Sequence, residues 1–412
     1  MREVHAMYDI LKDLVVVEGA SFIAGPSCAL HLQQFGATVI RFDAIGGGPD
    51  YNRWPQAPSG DSLYWESLNK GKLSVAIDLS RPEGRELAVR IITAPGEGRG
   101  LFVTNYPHKG FLAHESLAAH RPDLITMRVQ GWPDGRNGVD YTVNAAVGVP
   151  YMTGDDRQNG DDPVNSTVPA WDLLAGVYGA YALMCAERRR RQTGEGGEIR
   201  VALSDIAIGS LAHLGQVAEV LLGGDRGRCG NALYGAFGRN FAAKDGRQVM
   251  IVAITPKQWR GLVDALDVSA DVAALEATLG VSFATDEGQR FIHREALGAL
   301  FALGCARLGY DDLAALLERN GVCWERYRTL GEAVAEDPRL VRDNEIFSEI
   351  RQISGTVAPV PGALARFEGL PRQAPKPAAR LGADTERVLA EHLGLGSGEI
   401  GRLVDQGLVA VA

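Results

Sequence analysis

The chain alternates short apolar runs with helical segments, and this alternation limits the fold more than any other feature of the sequence. Runs of strand length occupy residues 14–18, 39–43, 73–79, 100–105 and 124–129. Between them lie segments whose apolar residues follow helical spacing, such as residues 83–92. Strands that alternate with helices form parallel, doubly wound sheets, because each helix returns the chain to the same end of the sheet. The sequence therefore predicts an α/β fold built on a parallel sheet.

The pattern changes beyond residue 222, which predicts a second, smaller domain. Residues 223–227 contain three glycines and break the alternation of strands and helices. A hairpin around Asp245 and Gly246 follows, together with several amphipathic helices. The predicted domains are the first part of a large domain at 1–225, a small α+β domain at 226–320, and a linker with a C-terminal segment at 321–412. The other predicted elements are a strand at 198–203, helices at 204–222, 329–336, 384–393 and 397–406, and hairpin strands at 240–243 and 248–254.

Composition excludes several classes of function. The chain has 412 residues, 46% of them hydrophobic, and a net charge of -9, which is typical of a soluble globular protein and unfavourable for binding a phosphate backbone. Its five cysteines lack CxxC spacing and its eight histidines lack paired spacing, so we expect buried thiols in a reducing compartment and no metal centre. No apolar run approaches the roughly 20 residues of a membrane span, and the N-terminus has no signal-peptide pattern. We therefore expect a cytoplasmic protein that binds neither nucleic acid nor membrane.

Asp172 is the strongest candidate for a catalytic group. It lies between a polar loop at 154–166 and a long segment of small and apolar residues that predicts a helix. Pro169, three residues earlier, favours a helix start, so Asp172 is expected at the N-cap or in the first turn. An aspartate there either caps the helix or acts as a nucleophile that the helix dipole keeps ionised, with free N–H groups nearby to stabilise an oxyanion. The residues alone leave both roles open.

Residues that follow the predicted strands favour a ligand site at the carboxyl edge of the sheet. The first strand runs into the glycine-punctuated residues 19–25, which form either a tight turn or a site for phosphate or amide groups. Arg41 and Lys72 are cations at the ends or entrances of strands, and residues 105–109, with the sequence NYPHK, follow the fourth strand. Each cation alone is more often a solvated surface group. Because open α/β sheets bind ligands at this edge, the three elements together predict a site for a nucleotide phosphate and adenine.

The sequence resembles the family III CoA-transferases along nearly its whole length. The segments that carry the resemblance include VVEGASFIAGPSCALHLQQFGATVIRFD, LNKGKLSVAIDL, FVTNYPHKG, VDYTVNAAVGVPYMTG and PAWDLLAGVYGAYALMCAERRRRQTGEGGEIRVALSDIAIG. The resemblance implies that Asp172 is a covalent nucleophile and that coenzyme A (CoA) is bound as part of the substrate, with no prosthetic group. The CoA-binding residues expected from the resemblance and from position are Ala20, Ser21, Phe22, Ile23, Ala24, Arg41, Lys72, Asn105, Tyr106, Lys109 and Asp140.

The same resemblance implies an uncommon assembly and a covalent mechanism. It implies a Rossmann-like large domain built from both chain ends, a small domain inserted between them, and two ring-shaped subunits that interlock as a homodimer. An aspartate with an ordinary pKa is ionised at neutral pH and can attack a thioester carbonyl to give a mixed anhydride. The CoA thiolate then attacks the aspartyl carbonyl, the acid leaves as a carboxylate, and an acceptor carboxylate reverses both steps.

Two features favour one branch of the family. Residues 228–240 lack the run of glycines with which many members close over the intermediate, and Val139 stands where relatives often have tyrosine. The segments IGGGPDYNRWP, TAPGEGRGLFVTNYP and GNALYGAFGRNF resemble members that move CoA from one carboxyl group of mesaconate to the other. We therefore predict intramolecular transfer, with Arg53, Tyr234 or Arg239 as candidates to hold the free carboxylate. An intermolecular transferase, an acyl-CoA racemase and a non-catalytic CoA-binding protein stay open as alternatives.

Overall fold

The computed structural model describes residues 7–155 and 162–412, so part of the predicted polar loop, residues 156–161, lies outside the described residues. The described chain divides into two units. The large unit takes its described residues from Met1–Val147, Thr167–Val217 and Pro338–Ala412, and the small unit takes them from Gly148–Ser166 and Ala218–Asp337. The domain limits at residues 225 and 320 stay predictions.

Strands and helices alternate through the first half of the chain. Strand β1 (Val15–Gly19) is typical, because its valines are largely buried and Gly19 leaves room for the ring of Phe42. The elements that follow are α1 (Ala24–Gln34), β2 (Thr38–Ala44), α2 (Leu63–Asn69), β3 (Leu73–Ile77), α3 (Pro82–Ile92), β4 (Leu101–Thr104), a 3₁₀ turn (Gly110–Leu112), α4 (His114–Ala118), β5 (Ile125–Gln130), α5 (Asp140–Ala146), α6 (Val149–Met152), α7 (Ala170–Thr193), β6 (Gly197–Ala202), α8 (Leu203–His213) and α9 (Gln216–Leu221).

The second half of the chain supplies most of the small unit and the C-terminal part of the large one. Its elements are β7 (Phe237–Ala242), β8 (Gln248–Ala253), α10 (Pro256–Ala265), α11 (Ser269–Leu279), α12 (Glu287–Ile292), α13 (Arg294–Ala306), α14 (Tyr310–Arg319), β9 (Cys323–Arg326), α15 (Leu330–Glu336), β10 (Phe347–Arg351), β11 (Val357–Pro361), α16 (Thr385–Leu393), α17 (Ser397–Asp405) and β12 (Val409–Ala410). In the small unit, β7, β8 and β9 form an antiparallel sheet. An aromatic cluster that includes Phe237, Trp259 and Phe301 fills its core.

Seven of the described strands form one sheet, in the order β12-β3-β2-β1-β4-β5-β6. Every neighbouring pair is parallel except β12 with β3, so the prediction of an α/β fold with a large, mainly parallel sheet is confirmed. The order reverses at β1, which lies between β2 and β4. In such sheets the ligand crevice lies outside the carboxyl ends of the strands at the reversal point. The loops after β1 and β4 are therefore where this fold favours a binding site.

Helix α7, which carries Asp172, packs closely on α1. A side chain at Gly176 would overlap Ser27 of α1, so glycine permits the close approach of the two helices. Hydrophobic clusters cover both faces of the sheet, and the alternation of side chains along β1 assigns Val16 to one cluster and Val17 to the other. The start of α7 is thereby held on a rigid support.

The structure differs from the sequence prediction at three places. The helix predicted at 204–222 is two helices, because Gly215 adopts a left-handed φ of 79° between α8 and α9. The proline-rich part of residues 321–412 contains the antiparallel strands β10 and β11, and β12 joins the large sheet. The expectation of buried thiols is correct for Cys28 and Cys305 but wrong for Cys185 and Cys323, which are exposed.

No helix among residues 7–155 and 162–412 is long and apolar enough to cross a membrane. Within the same described ranges, no three side chains of His, Cys, Asp or Glu form a group that could hold a metal ion.

Candidate active site

A cavity of about 530 Å³ opens at the carboxyl ends of β1, β4 and β5, within the large unit. Nine of the twelve residues predicted for catalysis and CoA binding line it: Ser21, Phe22, Ile23, Ala24, Asn105, Tyr106, Lys109, Asp140 and Asp172. Three others, Ala20, Arg41 and Lys72, do not line it. Further polar residues in its wall are Arg53, Tyr64, His108, Arg128, Gln130, Arg136, Asn137 and Tyr141. The fold thus brings the predicted nucleophile together with most of the predicted CoA-binding residues.

Asn105 ties the loop after β1 to the loop after β4. Its side-chain amide accepts a hydrogen bond from the Ser21 N–H at 3.1 Å and donates one to the Ser21 carbonyl at 2.8 Å. An asparagine side chain carries both a donor and an acceptor, so it can bond the N–H and the carbonyl of one residue, as a neighbouring strand would. The two segments predicted to bind CoA therefore form one wall of the cavity.

Asp172 is the third residue of α7 and lies in its first turn, as predicted. The side chain is half-buried and lines the cavity. A capping aspartate would accept a hydrogen bond from a backbone N–H of the first turn, but no donor among the described residues binds the carboxylate of Asp172. The sequence left open whether Asp172 caps α7, and in the structure it does not.

Asp140, the first residue of α5, caps α7 instead. Its buried Oδ2 accepts hydrogen bonds from the N–H groups of Trp171 at 2.7 Å and Asp172 at 3.1 Å. The N–H of Ala170 donates to the carbonyl of Val168. The expectation of free N–H groups beside Asp172 is therefore wrong, because a carboxylate from a neighbouring helix and a nearby carbonyl already occupy them.

The same arrangement changes the charge state of Asp172. Burial and the nearby carboxylate of Asp140 raise the pKa of Asp172 to about 7. A helix dipole alone would lower the pKa of an aspartate in this turn, but the cost of desolvating the anion and the repulsion from Asp140 outweigh it. Asp172 therefore holds its proton to higher pH than the ordinary aspartate assumed from the sequence, and it titrates near neutral pH.

We expect activity to follow this titration if Asp172 is the nucleophile. Only the ionised carboxylate attacks, so kcat/KM should rise about tenfold per pH unit below pH 7 and level off above it. Asp140→Asn removes the neighbouring charge but keeps an oxygen that can accept N–H groups, so the pKa of Asp172 should fall. The rising limb of the kcat/KM profile should then move to lower pH. An unchanged limb in the variant would mean that burial alone sets the pKa.

Arg41 and Lys72 lie in a buried ion network and do not face the cavity. The guanidinium of Arg41 binds both oxygens of Asp43 at 2.8 Å, and it also contacts Glu18 and Asp50. Lys72 donates to Glu18 at 2.6 Å. All five side chains of this network are at most 4% exposed. In this arrangement the two cations hold carboxylates, and their assignment to CoA stays a prediction.

Arg53 and Tyr64 both line the cavity, and neither side chain has a hydrogen-bond or ion-pair partner among the described residues. The exposed guanidinium of Arg53 lies over the rings of Phe22 at 5.4 Å and Tyr64 at 5.5 Å, and it forms no ion pair with any described residue. The buried hydroxyl of Tyr64 has no hydrogen-bond partner among the described residues. Burial raises the pKa of Tyr64, so its hydroxyl stays a neutral donor. Tyr64 was not predicted as a site residue, and its one signal in the sequence is its position four residues before LNKGK.

Arg128 fixes the loop after β4 and was also missed. From β5 its guanidinium donates to the carbonyls of Tyr106 at 2.6 Å and Leu112 at 2.9 Å, and it pairs with Glu198 at 2.8 Å. These bonds hold the predicted CoA-binding residues 105–109 in place. An arginine inside the otherwise apolar strand ITMRVQ is the signal that could have identified it.

The other two candidates for binding a free carboxylate lie in the small unit and have partners there. Tyr234 donates to Glu219, and Arg239 pairs with Glu295 at 3.3 Å. Of these three described candidates, Arg53 alone lines the cavity.

The fold and the cavity agree with what sequence comparison finds. The sequence matches CoA-transferase family III over residues 11–385. The chain therefore belongs to CoA-transferase family III, a family of enzymes whose substrates are CoA thioesters, and the resemblance inferred from its motifs is confirmed.

Individual relatives place the chain more closely within the family. The 2-methylfumaryl-CoA isomerase of Chloroflexus aurantiacus is 45% identical over 406 residues, which cover 98% of each chain. The succinyl-CoA:mesaconate CoA-transferase of Haloarcula marismortui is 28% identical over 356 residues, which cover 83% of this chain and 86% of that one. Among solved structures, a CAIB/BAIF family protein from Brucella suis aligns with a TM-score of 0.74 and 25% identity, covering 92% of this chain and 98% of that one. The 45% identity to this isomerase confirms that the chain is similar to the branch of the family that its sequence segments indicated.

Proposed function

We propose that this protein moves CoA from one carboxyl group of mesaconate to the other and so converts 2-methylfumaryl-CoA into 3-methylfumaryl-CoA. The observation that carries the proposal is that Asp172 and Arg53 line the same cavity. Asp172 is a half-buried carboxylate that no described donor binds, and Arg53 is a guanidinium without a described carboxylate partner. The first suits a nucleophile and the second suits the free carboxylate of a dicarboxylic acid. The 45% identity to the isomerase supports the same substrate.

The first half of the reaction moves CoA from the acid to the enzyme. An ionised oxygen of Asp172 attacks the thioester carbonyl, the C–S bond breaks, and CoA leaves as a thiolate while a mixed anhydride forms. The thiolate then attacks the aspartyl carbonyl of this anhydride. Its C–O bond breaks, mesaconate leaves as a carboxylate, and CoA remains as an aspartyl thioester. Each step makes one bond and breaks one, and nothing is oxidised or reduced.

The second half reverses these steps with the other carboxyl group. Mesaconate turns within the cavity, and its second carboxylate attacks the aspartyl thioester to give a new anhydride and a CoA thiolate. The thiolate attacks the mesaconate carbonyl, which releases the isomeric ester and restores the Asp172 carboxylate.

The wall formed by the loops after β1 and β4 is the proposed CoA-binding surface. Ser21 and Asn105 hold this wall together, and the exposed Lys109 extends from it with no ion pair to a described residue. A cation at the carboxyl edge of a parallel sheet suits the phosphates of CoA. Arg136 also lines the cavity but is partly neutralised by Asp134 at 2.7 Å.

Contacts within the small unit support transfer inside one molecule. Arg226 lies 3.6 Å from the centre of the Tyr234 ring and pairs with Glu219 at 2.5 Å, and Arg228 donates to the carbonyl of Tyr151. These contacts tie down the segment that lacks the family's run of glycines. A tethered segment without such a run is poorly suited to opening and closing for the exchange of two different acids.

Isotope exchange tests whether the acid stays bound. When the enzyme converts unlabelled 2-methylfumaryl-CoA in the presence of excess carbon-13 mesaconate, the isomeric ester should form without label. An intermolecular transferase would place label in the product at the rate of turnover. A racemase would form no isomer from this ester, whose α-carbon carries no hydrogen, and would instead place solvent deuterium at the α-carbon of a saturated 2-methylacyl-CoA. A binding protein would form no product from either ester. Succinyl-CoA with free mesaconate is the matched control and should give no mesaconyl ester.

We also propose that two copies of the chain associate as the homodimer that the family resemblance implies. Helix α7 exposes a row of apolar side chains, Leu173, Val177, Tyr178 and Tyr181, which are between 40% and 64% exposed. Contiguous exposed apolar groups of this kind are typical of interfaces between proteins. Sedimentation equilibrium should give a mass twice that of one chain, and a single-chain mass at micromolar concentration would contradict the proposal.

A further inference from the structure

Phe22 has an unusual backbone conformation for a residue in a cavity wall. Its φ is 70°, in the left-handed region that bulky side chains seldom adopt. The residue follows β1, lines the cavity and is 39% exposed. Strained residues persist only where surrounding contacts hold them, and they cluster at functional sites. The contacts of Phe22 therefore identify the groups that hold this wall in place.

Asp50 is the side chain that holds Phe22. Its Oδ2 accepts a hydrogen bond from the Phe22 N–H at 3.1 Å. The guanidinium of Arg41 in turn donates to both oxygens of Asp50, at 3.0 and 3.1 Å, and both side chains are 1% exposed. A buried carboxylate fixed by charge-assisted bonds is a rigid acceptor for the Phe22 amide.

The backbone of Asp50 also positions Arg53. The Asp50 carbonyl accepts a hydrogen bond from the Arg53 N–H at 3.3 Å, which closes a turn. The guanidinium of Arg53 then lies 5.4 Å from the centre of the Phe22 ring. Asp50 thus holds the backbone of both Phe22 and Arg53, whose guanidinium lies over the Phe22 ring.

Asp50 is not the only carboxylate that holds the two cations of the buried network. Arg41 also pairs with Glu18 and Asp43, and Lys72 pairs with Glu18. Within this network, the contact with the Phe22 N–H is made by Asp50 alone.

We propose that Asp50 is a positioning residue for the acyl end of the substrate: with Arg41 it fixes Phe22 and thereby aligns Arg53 with the substrate carboxylate. The role of Arg53 rests on the proposed function, whereas the support of Phe22 does not. Arg41 then acts through Asp50 and Phe22 and does not touch CoA.

Asp43 provides a matched control, because it is equally buried and binds the same guanidinium without contacting Phe22. Asp50→Asn should raise KM for 2-methylfumaryl-CoA about tenfold and leave kcat within about threefold, because the amide loses the charge-assisted bonds to Arg41 and turns an NH₂ donor towards either the guanidinium or the Phe22 N–H. Asp43→Asn should change KM by less than about threefold. In a Phe22→Gly background, Asp50→Asn should have little further effect, because glycine adopts positive φ without support. Equal effects of the two asparagine variants on KM, or an undiminished effect in the glycine background, would overturn the proposal.

Hydrogen exchange gives a readout that needs no substrate and so separates this proposal from the proposed function. In Asp50→Asn the amide of Phe22 should exchange about tenfold faster or more, while the amide of Ser21, held by Asn105, should keep its rate. Unchanged exchange at Phe22 would overturn the proposal even in an active isomerase. A selective change at Phe22 in a protein that does not isomerise the ester would contradict the proposed function alone. If the asparagine variant does not fold, Asp50→Glu keeps the charge while displacing the carboxylate from Phe22, and the same readouts apply.

Discussion

Asp172→Asn should abolish turnover, with kcat lowered by about 10⁴-fold or more, because a neutral amide cannot attack a thioester to form an anhydride. Chromatographic separation of the two CoA esters measures the loss directly. Asp205→Asn is a matched control, since Asp205 is likewise the third residue of a helix, α8, but does not line the cavity. The control should keep full activity, and equal losses in the two variants would contradict the assignment of Asp172.

The Asp172→Asn variant should lose activity without losing stability. The pKa of Asp172 is raised from 3.8 to about 7 in the folded chain, so the folded state binds its proton more tightly than the unfolded state. By linkage, ionised Asp172 opposes folding fully above about pH 7, and this opposition fades as the pH falls towards 4. Removal of the charge should leave Tm at pH 8 equal to or above that of the wild type. A lower Tm in Asp172→Asn would mean that the variant loses activity because its fold is damaged.

A covalent adduct would distinguish a nucleophile from a group that only binds substrate. Rapid quenching during turnover of 2-methylfumaryl-CoA, followed by digestion, should yield CoA on the peptide that contains Asp172. The Asp172→Asn variant should yield none. Active wild-type enzyme that gives no adduct under rapid quench would remove the covalent mechanism while leaving the isomerase reaction in place.

The sheet could be predicted from the sequence because parallel strands are buried on both faces and therefore form continuous apolar runs. Strand β1, with the sequence VVVEG, is such a run. Elements that lack this pattern escaped prediction. Strand β12 has two residues, and β11 contains Pro359 and Pro361, which strands in the middle of a sheet seldom tolerate. Both are recognisable only from the partner strands that they pair with.

Positions in the candidate site could be predicted, but most partnerships could not. Pro169 and the helical segment after it correctly placed Asp172 in a first turn. The carboxylate that caps this turn comes from Asp140, 32 residues earlier, and no local pattern reveals that contact. Arg41 was expected to face a phosphate, yet the register of β1 and β2 sets it beside Glu18. Side-chain pairs that are distant in sequence depend on the tertiary fold, so charge and spacing alone do not reveal them.

Arg53→Gln should lower kcat/KM for 2-methylfumaryl-CoA by about 100-fold. A guanidinium binds a carboxylate through two parallel charge-assisted hydrogen bonds, and glutamine offers one neutral donor. Loss of about 3 kcal/mol of such binding corresponds to about 100-fold in kcat/KM. Arg53 has no carboxylate partner among the described residues that would compete with the substrate. Arg53→Lys keeps the charge but not the planar fork, so its kcat/KM in steady-state assays should lie between those of the wild type and Arg53→Gln.

Escape of the acid is the sharper consequence of removing Arg53. While CoA is held on Asp172, mesaconate is no longer covalently bound. Arg53 lies over the rings of Phe22 and Tyr64 in the cavity wall, and it has no ion pair with a described residue. It is therefore free to bind the acid. Without it, mesaconate should dissociate before its second carboxylate attacks. Carbon-13 mesaconate in solution should then enter the CoA ester in Arg53→Gln but not in the wild type, so that one substitution converts an internal transfer into an exchange. Binding of crotonyl-CoA, which has no second carboxylate, should be unchanged in the variant. Equal loss of affinity for both esters would mean that Arg53 contacts the CoA moiety and has no part in recognising the acid.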